Sequence, residues 1–255
     1  MTMRDHPSHL DREALILHLD DERREADVLG EIREAMFGAQ DGVTSILAVV
    51  ATVATVSRET YPVLVAGLAA SLAEIISMGA GEYISSKTQR EIFDAQIAVE
   101  RREVAEHPLE ARAEVALLLE RDGLSREAAE RVTAELATSP DVLLRTMVEK
   151  ELGLAVEHGA GPLQGALILS AAFLLAALVP IGPFFFLPVG TALPVAIGLS
   201  AIVMFGLGVF KSRYTKKEPL RSGLEVVLLV IVAAGGGYVF GSVLPTVLGI
   251  AGFVP

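Results

Sequence analysis

The chain has 255 residues, of which 52% are hydrophobic and 21% are charged, and its mean hydropathy is +0.51. Its 32 acidic and 21 basic residues give a formal charge of −11, which argues against nucleic acid as a partner because phosphate binding needs a basic surface. The chain has no cysteine, so disulfides and thiolate metal ligands are excluded. This composition predicts membrane-spanning helices that alternate with very polar segments.

The first third of the chain predicts a polar helix followed by a helical hairpin in the membrane. Residues 1–34 are charged, carry leucines at helical spacing and lack the apolar core of a cleaved secretory signal, so we expect a cytoplasmic amphipathic segment. Residues 35–86 hold two apolar runs. We expect span one at 35–56 and span two at 63–86, each long enough to cross a bilayer.

A water-exposed helical domain is predicted between spans two and three. Residues 87–161 contain 16 acids and 10 bases and have no long apolar run. Proline, glycine and serine punctuate this segment into four predicted helices: one ending at Glu106, one over 108–121, one beginning after Ser125 and one beginning after Ser139. Both serines are expected to cap the helices that follow them.

The last part of the chain, residues 162–255, is apolar again. It predicts span three at 163–179, broken by Pro180-Ile181-Gly182-Pro183, span four at 187–209 and span five at 224–250. The predicted fold class is therefore all-α, a five-span transmembrane bundle with a helical insert between spans two and three.

The short loops predict the orientation of the spans, since lysine and arginine concentrate on the cytoplasmic side. The loop between spans four and five is the most basic part of the chain, with Lys211, Arg213, Lys216, Lys217 and Arg221. The turn after span one has one arginine, and the turn after span three has none. We therefore expect the N-terminus and the insert to be cytoplasmic and the C-terminus to lie outside.

Apart from Glu225 at the very start of span five, three carboxylates fall within the predicted spans, where an ionisable side chain is costly unless it serves a function. They are Asp41 in span one and Glu74 and Glu82 in span two. Glu74, Met78 and Glu82 recur every four residues, so they share one face of a helix, and Asp41 lies at a similar depth in the antiparallel span. Carboxylate and thioether ligands together suit Mn(II) or Fe(II). The alternative is that Asp41 and Glu82 only reach the membrane surface and that Met78 is part of the core.

Two pairs of glycines predict close contacts between helices in lipid. They are Gly38 with Gly42 in span one and Gly237 with Gly241 in span five. The first pair could instead serve a seam between two subunits.

The insert carries a run of glutamates at three- to four-residue spacing: Glu100, Glu103, Glu106, Glu110 and Glu114. On a helix this spacing gathers carboxylates onto one face, where like charges repel unless a cation lies between them. The run therefore indicates a metal-binding domain. The alternative is an ordinary solvated helix face.

Several motifs resemble those of the vacuolar iron transporter family. The segment Phe37-Gly38-Ala39-Gln40-Asp41-Gly42 is similar to the signature of its first span, and Ser77-Met78-Gly79-Ala80-Gly81-Glu82-Tyr83-Ile84-Ser85 to that of its second. In the insert, Glu100-Arg101-Arg102-Glu103, His107-Pro108, Gly123-Leu124-Ser125 and Glu149-Lys150-Glu151-Leu152-Gly153 follow in the family's order. The resemblance covers nearly the whole chain after residue 30.

This resemblance implies a homodimer with a metal pathway between its two copies of span one. Asp41 and Met78 would be ligands along that pathway. The implied ligands of the insert are Glu100, Glu103, Glu114, Met147 and Glu151. Exchange of metal for protons is implied as well, and we expect Glu74 or Glu82 to carry the protons.

The chain departs from the family pattern at two positions. Gln40 replaces the usual asparagine before Asp41, which only lengthens the amide side chain. Ala111 stands where the family commonly has a glutamate, with Glu110 one residue away, so Glu110 is the remaining candidate ligand there. The number of ions bound by the insert stays open.

We therefore predict a secondary transporter, not an enzyme, that moves Fe(II) or Mn(II) out of the cytoplasm in exchange for protons, for metal homeostasis and detoxification. The expected partners are a second copy of the chain, membrane lipid, divalent metal ions and protons, and no prosthetic group is expected. A prokaryotic plasma membrane is the expected location. Two alternatives are a membrane-anchored metal-binding or sensing protein without transport and a di-iron carboxylate oxidase, although the Glu-x-x-His pairs of such oxidases are absent.

Overall fold

A computed structural model describes residues 12–153 and 161–247, and every regular element in these ranges is helical. The α-helices are α1 (Arg12–Val56), α2 (Thr60–Glu106), α3 (Pro108–Arg121), α4 (Arg126–Leu136), α5 (Pro140–Glu151), α6 (Pro162–Ile181), α7 (Val189–Thr215) and α8 (Pro219–Val247), and a 3-10 helix covers Gly182–Phe185. The predicted all-α class is confirmed. The beginning of the N-terminal segment, the last part of the insert and the end of span five lie outside the described residues.

Five helices of the described chain are long and apolar enough to cross a membrane, which confirms the predicted number of spans. They lie in Val28–Val56, Thr60–Glu106, Pro162–Phe185, Val189–Thr215 and Pro219–Val243. Helix α2 has 47 residues, or about 70 Å, whereas the apolar layer of a bilayer is about 30 Å thick. Its apolar part therefore accounts for span two, and its polar end belongs to the insert.

The helices follow the predicted segments, and two of them continue from one segment into the next. The N-terminal segment and span one form the single helix α1, and span two continues into the insert as α2, because no proline interrupts either helix interior. Helix α6 ends at Ile181, within the segment 180–183 that we predicted to break span three.

One compact unit comprises the described residues up to Tyr83 together with those from Pro162 onward. Helix α1 packs against α6, α7 and α8. Its apolar face is fully buried at Val43, Ile46, Leu47 and Val50. The core residues around this face include Phe173, Ala177, Met204, Val226 and Val230.

Glycines bring the backbones of these helices into contact. A Cβ atom at Gly42 would lie 2.5 Å from the carbonyl oxygen of Phe173, and one at Gly38 would clash with the carbonyl oxygen of Leu169. These two glycines therefore pack on α6 of the same chain, and their assignment to a seam between subunits is wrong. The Gly237 and Gly241 pair contacts α1, where a Cβ at Gly237 would lie 2.5 Å from the Ala48 carbonyl oxygen.

The second compact unit is the insert, which begins at Ile84 within α2. The predicted bounds of α3 are confirmed, as is the Ser125 cap, whose side chain accepts a hydrogen bond from the Ala128 backbone N–H at 3.3 Å. Ser139 precedes α5 as expected, but its side chain makes no capping hydrogen bond. Buried residues of α2, α3, α4 and α5 form one apolar core: Ile97, Val104, Ala111, Val115, Leu119, Ala129, Leu143, Leu144, Met147 and Val148.

Candidate metal-ion sites

The predicted ligands of the spans lie on two helices. Asp41 is on α1, and Glu74, Met78 and Glu82 are on α2. All four side chains are partly buried, and Met78 packs against the apolar core of the membrane unit. Each of the four therefore keeps some exposed surface.

Three glycine contacts fix the levels of these helices against α6. Gly38 and Gly42, on either side of Asp41, lie against Leu169 and Phe173. Between those two α6 residues is Ser170, whose hydroxyl oxygen lies 2.5 Å from the Cβ position of Gly79 on α2. Because Met78 is next to Gly79, Asp41 and Met78 lie at the same level of α6.

Within the described chain, no more than two carboxylates of the spans come together. Asp41 and Glu74 are close enough to interact electrostatically. Glu82 lies nearer the beginning of α6, with a carboxylate oxygen 3.8 Å from the Cβ position of Gly165. No three acidic or histidine side chains of the described residues are placed to hold one metal ion together. The same holds for the described residues of the insert. A complete site in the spans would thus need Met78, another polar group or a second copy of the chain, and one in the insert would need its glutamate side chains to move closer together or other ligands to join them.

Four glutamates of the insert approach one another from three helices. Glu100 and Glu103 are on α2, Glu114 is on α3 and Glu151 is on α5. The Glu100 side chain is only 8% exposed, and its Oε2 atom has no hydrogen-bond partner among the described residues. Glu151, Glu103 and Glu114 act on it electrostatically, in decreasing order. A buried carboxylate surrounded by like charges is costly unless a cation compensates for it.

Glu114 shows the same crowding at the surface of the insert. Desolvation of its carboxyl raises the pKa of Glu114, and the charges of Glu103 and Glu151 raise the pKa further. A hydrogen bond between the Glu103 and Glu114 side chains acts in the same direction. The two carboxyl groups can therefore share a proton that a bound cation would displace.

The remaining predicted ligands of the insert lie in different surroundings. Glu110 is exposed; its carboxylate lies 3.8 Å from His107 Nδ1, and its charge also acts on Glu114. Ala111 is fully buried in the apolar core, so the outward-facing Glu110 does not occupy the corresponding place. Met147 is also fully buried, one helical turn before Glu151 on the same face of α5.

The sequence did not predict that Ser170 lies against α2. It is a single hydroxyl residue in the apolar run of α6, and neither spacing nor motif distinguishes it. Only the close contact with Gly79 reveals that it faces the second-span signature.

The fold and these sites define a class: a five-span integral membrane protein with carboxylates inside its spans and an acidic helical insert. The model of the VIT family matches residues 32–242, and the chain therefore belongs to this family. The resemblance found in the sequence is thereby confirmed.

Known relatives are similar in sequence to this chain over most of their length. "Vacuolar iron transporter 1" of Eucalyptus grandis is 31% identical over 86% of this chain and 89% of its own. "Vacuolar iron transporter 2" of Oryza sativa subsp. japonica is 29% identical over 89% of this chain and 94% of its own. "Vacuolar iron transporter" of Toxoplasma gondii is 28% identical over 86% and 76%. These plant and protist relatives lend no support to the predicted prokaryotic plasma membrane.

Proposed function

We propose that this protein carries iron(II) or manganese(II) across a membrane, out of the cytoplasm and in exchange for protons, and so serves metal homeostasis and detoxification. The names of the relatives support iron as a cargo. The observation that carries the proposal is the pair of interacting carboxylates, Asp41 and Glu74, on neighbouring membrane helices, with Met78 at the level of Asp41. Charged groups at such depth are typical of ion and proton pathways.

The direction of transport follows from the proposed orientation. The basic loop between α7 and α8 supports a cytoplasmic position for that end of the bundle. With five spans, the insert would then be cytoplasmic as well, and the C-terminus would lie on the opposite side. The insert would then collect the ion, since the buried Glu100 oxygen and its three acidic neighbours favour a cation.

A homodimer would complete the pathway. One chain contributes carboxylate pairs within its spans, whereas Mn(II) and Fe(II) require several ligands. A second copy beside α1 would supply a second Asp41 and a second Met78. Glu74 and Glu82, on the same stripe of α2, are the groups that we propose to carry protons in exchange.

The test is metal uptake into liposomes that contain a trapped metal-sensitive dye and the purified full chain. Asp41→Asn keeps the size of the side chain and removes its charge, and it should reduce uptake of Mn(II) and Fe(II) to that of empty liposomes. The matched control is Glu59→Gln, an exposed acid in the turn before α2, which should transport like wild type. Equal uptake by Asp41→Asn and wild type would remove Asp41 from the pathway.

A further inference from the structure

Ser170 of α6 lies directly against the second-span signature. The oxygen of its side chain is 2.5 Å from the Cβ position of Gly79, and the next nearest atom is its own Cβ at 3.8 Å. The space beside Gly79 is thus occupied by a hydroxyl group alone. Gly79 is next to Met78 and one turn before Glu82, so this hydroxyl lies beside the stripe of predicted ligands.

Hydroxyl groups in membrane helices usually bond to a backbone carbonyl of their own helix. Thr44, Ser45 and Ser71 do so here, at 2.9, 2.7 and 2.7 Å from carbonyl oxygens four residues earlier. Within the part of the chain that the structure describes, the partly buried Ser170 hydroxyl makes no hydrogen bond. It is therefore an available oxygen donor and acceptor within the span, at the level of Asp41 and Met78.

We propose that the Ser170 hydroxyl is a further ion-binding group of the pathway and lowers the KM for the metal as the ion passes Met78. A neutral oxygen adds to the carboxylate and thioether ligands without adding charge, which suits Mn(II) and Fe(II) at a site that must also release the ion. This inference rests on the proposed transport function. It also accounts for the glycine at position 79, because any larger residue would meet the hydroxyl.

A cycle of two substitutions separates ion binding from packing. Gly79→Ala alone places a methyl group against the Ser170 oxygen, and Ser170→Ala removes that oxygen and leaves ordinary contact distances. If Ser170 only fills space, Ser170→Ala should transport Mn(II) like wild type and should rescue Gly79→Ala. If it binds the ion, Ser170→Ala should raise the KM about three- to tenfold with little change in maximal rate, and the double variant should keep that high KM. Retention of the wild-type KM in Ser170→Ala would overturn the proposal.

A measurement of metal binding at equilibrium tests the role of Ser170 separately from transport. Mn(II) titration of the full chain in detergent, in a Glu100→Gln background that weakens the insert, reports the site in the spans without any flux. Ser170→Ala should lower that affinity about three- to tenfold. Unchanged affinity would overturn the role of Ser170, whereas intact binding by a wild-type protein that carries no flux would overturn transport alone.

Discussion

The two acidic regions of the molecule hold their carboxylates in different ways. In the insert, Glu103, Glu114 and Glu151 act electrostatically on the buried Glu100, and an apolar core fixes the helices that carry them. In the spans, Asp41 and Glu74 form only a pair, and contacts through glycine set their level against α6. We infer that the insert is suited to retain an ion at equilibrium, whereas the pair in the spans is suited to pass it on.

The largest effect that separates the two regions should come from Glu100→Gln. The change removes the charge at the centre of the insert cluster, so we expect the insert's affinity for Mn(II) to fall at least about tenfold in calorimetry of the full chain. Transport at saturating metal should stay near the wild-type rate, because Asp41 and Glu74 are untouched. Glu135→Gln is the matched control, since this exposed acid of α4 is not among the charges that act on Glu100 or Glu114. Equal binding by Glu100→Gln and wild type would favour the solvated-face interpretation of the glutamate run.

Some helix starts in the insert were predictable from the sequence because nearby residues determine them. Pro108 and Ser125 determine helix starts in the insert locally, because the Pro108 ring presets the backbone of the first turn of α3 and the Ser125 side chain accepts a hydrogen bond from the Ala128 N–H. The joins within α1 and α2 were missed, since a change from apolar to polar composition does not end a helix. The composition of a helix indicates whether water or lipid surrounds it. The length of the helix depends instead on the continuity of its backbone hydrogen bonds.

The positions of the site residues were only partly predictable from the sequence. Helical spacing was enough to place Glu74, Met78 and Glu82 on one stripe. Spacing cannot tell which helix a glycine will contact, so the packing of Gly38 and Gly42 on α6 needed the structure. The approach of Ser170 to Gly79 was unpredictable for the same reason, because it joins residues far apart in sequence.

A substitution at the glycine contacts that set the level of Asp41 should lower the stability of the protein, an effect of intermediate size among these predictions. Gly42→Ala would place a Cβ 2.5 Å from a backbone oxygen of α6, which cannot rotate away. We expect a loss of about 1–3 kcal/mol in stability, read as a lower temperature at which the detergent-solubilised protein loses its gel-filtration peak. Metal binding by the insert should be unchanged.

Gly30→Ala is the matched control on the same helix. Nothing lies within 4 Å of the Cβ position at Gly30, and alanine favours the helix by about 0.5–1 kcal/mol over glycine. This variant should be as stable as wild type or slightly more stable. If Gly42→Ala were equally stable, contact with α6 would not be what fixes the level of Asp41.

The smallest effect concerns pH and the insert alone. Desolvation and the charges of Glu103 and Glu151 raise the pKa of Glu114, so the metal-free insert keeps a proton there to a higher pH than an ordinary glutamate would. The raised pKa contributes stability that is fully present below the unfolded-state pKa and is lost as the pH rises through the folded-state pKa. Mn(II) must displace the same proton, so its affinity should increase over that pH window.

Glu114→Gln removes this titration and should flatten the response. As the pH rises from the ordinary range of a glutamate pKa toward neutrality, the wild-type affinity for Mn(II) should rise about two- to fivefold more than that of the variant. The difference is modest because Glu114 is exposed at the surface of the insert, where solvent screens its neighbours. Parallel affinity curves for the two proteins would mean that the proton is held elsewhere in the cluster. The buried Glu100 carboxyl would then be the group that the cation must deprotonate.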